Sequence, residues 1–166
     1  MYCPYDEMPG HSRLWIYAAS RTLTEAEERT IGESITGFCE QWAAHGRPLR
    51  ASWKIHRQRF ILLLADEQAA GASGCSIDAS TREIRSLGEK IGVDLFDRRV
   101  PFIINDEVVP IGLSELKVLL ADGGWSAQTP VLPMHASTRL EWEQGPVPAL
   151  STWLSRYLPD VAHDPA

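Results

Sequence analysis

Two runs in this chain are apolar or aromatic at every position: Leu14 to Ala18 (LWIYA) and Phe60 to Ala65 (FILLLA). A strand turns successive side chains to opposite faces, so a strand without a polar position has to be covered on both of them. Neither run approaches the roughly 20 apolar residues that cross a bilayer. They are therefore expected as the central strands of a sheet buried within a globular domain.

The segments around these runs set the layers. Thr22 and Thr24 each have a Glu three residues on, Glu25 and Glu27, the capping-box pattern of a helix start. Ile31, Ile35, Phe38, Cys39 and Trp42 then recur at steps of three and four, giving a helix with one apolar stripe, closed by Gly46 and Pro48. Leu49, Ala51, Trp53 and Ile55 alternate with Arg50, Ser52, Lys54 and His56, which predicts a strand with one wet face. A turn near His56 to Gln58 returns this strand into FILLLA as a hairpin. A second helix follows, with Ile77, Ile84, Leu87 and Ile91 on its apolar side. Ser76, Asp78 and Ser80 with Glu83 all qualify as its cap.

Val100 to Ile104 and Val108 to Ile111 flank Asn105, Asp106 and Glu107, predicting another hairpin with Pro110 on an edge. Leu113 to Leu120 reads as a short helix ended by Gly123 and Gly124. Beyond it the prolines Pro130, Pro133, Pro146, Pro148 and Pro159 predict an irregular extension with one short helix around Ala149 to Tyr157. The order strand, helix, strand, strand, helix, strand makes the class α+β. It is the order of a ferredoxin-like split βαβ sandwich, with the core in residues 1–124 and a C-terminal extension in 125–166.

The alternative is a thioredoxin-like variant, because VPFIINDEVVPIGLSELKVLLADG is similar to the closing strand-hairpin-helix of glutaredoxins. Where glutaredoxins carry C-x-x-C or C-x-x-S, this chain has Ser20, Arg21, Thr22 and Leu23, which argues against ordinary disulfide exchange.

The length of 166 residues suits a core that needs no staples, and 44% hydrophobic with 23% charged residues is an ordinary globular balance. Cys3, Cys39 and Cys75, odd in number and widely spaced, are expected as free thiols. The start MYCPYDEMPGHSR has no basic end followed by an apolar stretch, which points to the cytoplasm, with no membrane as partner. A net charge of -6 repels the phosphate backbone, so nucleic acid is not expected as a partner. His11, His45, His56, His135 and His163 fall into no metal-ligand spacing, and there is no G-x-x-x-x-G-K-[ST], G-x-G-x-x-G or G-x-S-x-G. Neither a metal nor a cofactor is expected.

Chemistry concentrates at Cys75, in GASGCSID, where a small-residue loop meets a helix start. Free backbone N–H groups and the positive end of the helix dipole favour a thiolate there, hence a nucleophile. The same stretch, Gly71 to Ser76, can cradle an anion on its N–H groups, with Gly74, Ser76 and Asp78 as candidate ligand-binding residues. His56, at a strand end, is the candidate base, whereas Cys39 belongs to an apolar stripe and reads as inert packing. Between His45 and Arg59 stand Arg47, Arg50, Lys54, Arg57 and Arg59 with no acid among them. The alternation puts Arg50, Lys54 and His56 on one sheet face, a second candidate surface for an anion.

The run RLWIYAASRTLTEAEE, the segment QWAAHGRPLRAS and above all ASGCSIDAS resemble a family of small uncharacterised bacterial proteins. Its members are often labelled ABC-transporter ATPases, an activity whose phosphate-binding loop this chain lacks. The resemblance spans roughly the first 120 residues. It directs attention to Gly74, Cys75, Ser76 and Asp78 without supplying a reaction.

Two functions follow as expectations. One is a binding or regulatory module for an anionic small ligand or a protein partner. The other is a cysteine-dependent enzyme with Cys75 as nucleophile.

Overall fold

The computed structural model describes residues 1–68 and 73–159. Its strands and helices are, in chain order, β1 (Arg13–Ala18), α1 (Glu25–Gln41), β2 (Ala43–Ala44), β3 (Arg47–Pro48), β4 (Arg50–His56), β5 (Phe60–Asp66), α2 (Gly74–Ile91), β6 (Val100–Ile104), β7 (Glu107–Ile111), α3 (Leu116–Ala121), β8 (Pro130–Val131), α4 (Arg139–Glu143) and β9 (Val147–Pro148). The fold is α+β, with antiparallel pairing in all three sheets. The chain divides into two compact units, Met1–Asp97 with Met134–Glu143, and Arg98–Pro133 with Gln144–Ala166. Residues 98–124 thus group with most of the C-terminal residues.

In the first unit β5 lies between β1 and β4, with Leu63 opposite Trp15 on one side and Trp53 on the other. Every residue from Phe60 to Ala65 is buried, because both faces of β5 are covered. Ile61, Leu63 and Ala65 face the core formed with Ile31, Ile35 and Cys39 of α1 and Ile84 and Leu87 of α2. Phe60 and its alternates face the other way, where Trp142 of α4 meets the Phe60 ring at 6.3 Å. At the roughly 25 cal/mol per Å² that burial of apolar surface contributes, this doubly covered strand is a principal source of stability.

Helix α1 starts where the capping box predicts. Thr24 Oγ1 accepts from the Glu27 N–H, and Glu27 Oε2 accepts from the Thr24 N–H at 2.8 Å. Gly46 does not end this helix; it lies with His45 in the left-handed region, at φ 73° and 50°, as the turn of the small β2–β3 hairpin.

The order β1-β5-β4 matches that of the first three strands in a split βαβ sandwich. The strand expected to complete it, Val100–Ile104, pairs instead with β7 and β8 in the second unit, in the order β7-β6-β8-β9. β1, expected as a second central strand covered on both faces, instead lies at the edge of this sheet with Trp15, Ile16 and Tyr17 only half-buried. Its outer edge carries two isolated bridges, Arg13 to Thr138 and Ala18 to Phe96. In the second unit Asn105 and Asp106, both at positive φ, turn β6 into β7, and Pro110 lies on the edge strand as expected. Phe102, Leu116, Trp125, Val131 and Leu154 form its core. Among the described residues no helix is long and apolar enough to cross a membrane.

Candidate functional site

Helix α2 opens earlier than its sequence caps imply. Ser73 is the cap: its hydroxyl accepts from the Ser76 N–H at 3.2 Å, while its carbonyl accepts from the Ser76 hydroxyl at 2.8 Å and from the Ile77 N–H at 3.0 Å. Ser80 lies inside the helix, its hydroxyl donating to the Ile77 carbonyl, and Glu83 accepts from Ser34 at 2.7 Å, so the formal Ser80–Glu83 box is not formed. Asp78 is exposed on the outside of the helix and caps no N–H group among the described residues. The buried face of α2 runs Ser76, Ser80, Ile84, Leu87; the two small serines let this end approach its neighbours with their hydroxyls satisfied by backbone.

Cys75 is therefore the second residue of an 18-residue helix, and it is exposed. The capping uses the N–H of Ser76. Among the described residues nothing accepts from those of Gly74 and Cys75, the helix's free donors. Gly74 has ordinary helical backbone with open space where a Cβ would stand, so its conformational freedom is not used. Gly71 lies outside the described residues.

The thiol lines a cleft of about 530 Å³ bounded by Gly37, Phe38, Gln41 and Trp42 from the end of α1, by Ala43 and His45 after it, and by Ser73, Cys75, Ser76, Ala79 and Glu83. Two bonds fix the walls: the Trp42 indole N–H donates to the Ser76 carbonyl at 3.0 Å, and Ser34 donates to Glu83. His45 is thus the imidazole that shares the Cys75 cleft. Its place on the β2–β3 turn depends on tertiary packing, and the only local sign of it is the turn dipeptide His45-Gly46.

Arg50, Lys54 and His56 are on the other side of the sheet. Trp53 packs on α1, its indole N–H donating to Thr36 Oγ1 at 2.8 Å, and alternation turns Lys54 and His56 away from both helices. The face they share is covered by this chain. Arg50 donates to the Glu7 carbonyl at 2.8 Å. Lys54 Nζ and the Arg139 guanidinium stand 4.7 and 4.8 Å from the centroid of the Tyr5 ring. His56 makes an edge contact with Trp142, 5.3 Å between ring centres. Burial, then Arg57 and Lys54, hold its pKa below the usual 6.5.

Arg139 bonds Glu143 at 2.8 Å and donates to the carbonyls of Asp6 and Met8. Ser52, expected on the wet face, is buried beneath this layer. Arg59 is buried too, donating to the carbonyls of Ala19 and Ser20. The structure does not bring His56 to Cys75, nor join the Arg50–Lys54 face to the start of α2.

The other thiols are packed. Cys39 is buried in the helix-side core, and burial pushes its pKa up to about 12. Cys3 donates to Met8 Sδ at 3.1 Å. Among the described residues no three His, Cys, Asp or Glu side chains gather as metal ligands. Comparisons with protein-family models, curated proteins and solved structures gave no match.

Proposed function

We propose that this chain is a cytoplasmic binding module that holds a small anionic ligand in the cleft at the start of α2. The carrying observation is the placement of Cys75: an exposed side chain on the first turn of a long helix, on the wall of a cleft large enough for a metabolite-sized molecule. The N–H groups of Gly74 and Cys75, unbonded among the described residues, attract negative charge with the helix dipole behind them. Phe38 and Trp42 supply an apolar wall.

The test is protection. Inorganic phosphate and small di- and tricarboxylates, at millimolar concentration, are expected to slow iodoacetamide alkylation of Cys75 and to raise the unfolding temperature. Ala79→Glu, which puts a carboxylate on the cleft wall, is expected to remove both effects. No protection by any of these anions would end the reading.

A cysteine-dependent enzyme is the second reading, favoured by His45 sharing the cleft with the thiol. It requires Cys75 to alkylate faster than a free-cysteine peptide below neutral pH, with that advantage lost in His45→Gln. Equal rates would leave binding alone.

A further inference from the structure

The second unit has its own groove. Lys117, Leu120 and Ala121, at steps of three and four on α3, form one wall, and Arg156, Tyr157 and Pro159 form the other, around about 580 Å³. Both walls carry a cation, and no Asp or Glu lines the groove among the described residues, in a chain whose net charge is -6.

Arg156 is held in place: its Nε–H donates to the Trp153 carbonyl at 3.1 Å, and its guanidinium stands 5.2 Å from the centroid of the Trp153 ring. Trp153 also makes an edge contact with Tyr157, 6.0 Å between ring centres. Large apolar side chains are exposed on the same two elements, Trp153 at 43% and Val118 at 61%. Two aromatic rings in edge contact beside a fixed guanidinium, with exposed aliphatic surface, match the composition of the anchor regions of protein interfaces.

We propose that this groove docks a linear segment of a partner protein in which acidic residues alternate with aliphatic ones. Charge complementarity commits it to that occupant. Lys117 and Arg156 call for carboxylates on the segment, and Leu120, Tyr157 and the neighbouring Val118 and Trp153 call for apolar side chains between them. Nucleic acid, the other polyanion two cations could meet, offers no aliphatic side chains for Leu120 and the exposed Val118.

Fluorescence polarisation on the full chain decides it, with a fluorescein-labelled peptide of alternating Asp and Leu as probe and its Asn–Leu counterpart as control. The Asp peptide is expected to bind saturably, to weaken as salt rises, and to bind at least about tenfold more tightly than the control. Lys117→Glu with Arg156→Glu, both at exposed positions, is expected to cost at least about tenfold with circular dichroism unchanged. Val118→Asp, which leaves the groove walls intact, is expected to weaken binding in the same direction. Equal binding of the two peptides, indifference to the double substitution, or no binding up to millimolar peptide would overturn the proposal. So would a concentration-dependent dimer, seen by sedimentation and abolished by the same substitutions, because a second copy would then be the occupant.

Discussion

One residue type has three fates in this chain, and the backbone decides which. Cys39 sits on the stripe of α1 that faces the sheet, where its thiol stays neutral up to about 12. Cys3 is buried against Met8. Cys75 falls on the first turn of α2, where the helix leaves its side chain in solvent. The expected outcome is selective chemistry. In the folded protein at neutral pH, iodoacetamide modifies Cys75 alone, and Cys3 and Cys39 become reactive only with denaturant. Mass-spectrometric mapping of the three thiols after timed alkylation checks this, and rapid labelling of Cys39 without denaturant would contradict the packing described.

At the scale of elements, α1 shows where intrinsic propensity yields to packing. Alanine is better than glycine inside a helix by about 1 kcal/mol, and at Gly37, with nothing within 4 Å of a built Cβ, Gly37→Ala is expected to stabilise by up to that amount. At Gly32 the same change sets a Cβ 2.7 Å from Trp53 Cη2 and 3.0 Å from Cζ2, on a ring fixed by its bond to Thr36. Gly32→Ala is expected to destabilise by about 1–3 kcal/mol, through overpacking. Urea unfolding of the two variants gives opposite signs if this holds.

The contrast marks what was legible. β1, α1, the β4–β5 hairpin and the β6–β7 hairpin follow from periodicity, a capping box and turn residues, all local signals. α4 and the covering of Lys54 and His56 do not, because Arg139 reaches back to Asp6 and Met8 across most of the chain. Ser76 and Ser80 misled for the opposite reason: both match caps locally, yet they serve as small packing residues in the buried face of α2. The exposure of Cys75 was readable from a loop handing over to a helix. Its neighbours Trp42 and His45 were not, since the end of α1 meets α2 only in the folded chain.

At the scale of the whole molecule, the shifted groups give stability a plateau with two distinct edges. His56 has a folded-state pKa below 6.5, so the unfolded chain takes up the proton first. Its contribution is complete above about 6.5 and is lost as pH falls through the lower folded value. Glu27, drawn down from 4.5 to about 2 by its bonds from Arg21 and then the Thr24 N–H, keeps its contribution above 4.5 and loses it toward 2. Burial raises Cys39 from 9.0 and Tyr5 from 10.0, each to about 12. Those neutral forms stabilise the fold below 9 and 10, and the contribution is lost as pH rises toward 12.

The urea midpoint is therefore expected to be flat between about 6.5 and 9 and to fall on either side. The first step on the acid side belongs to the half-buried imidazole against Trp142, with Lys54 and Arg57 as the charges that oppose its protonation. His56→Phe keeps a ring between Phe60 and Trp142 but removes the titration, so it is expected to extend the plateau toward 4.5 while leaving the alkaline edge in place. If wild type and His56→Phe lose stability in parallel just below 6.5, the step has another origin and the covering layer over β4 tolerates a charged imidazole.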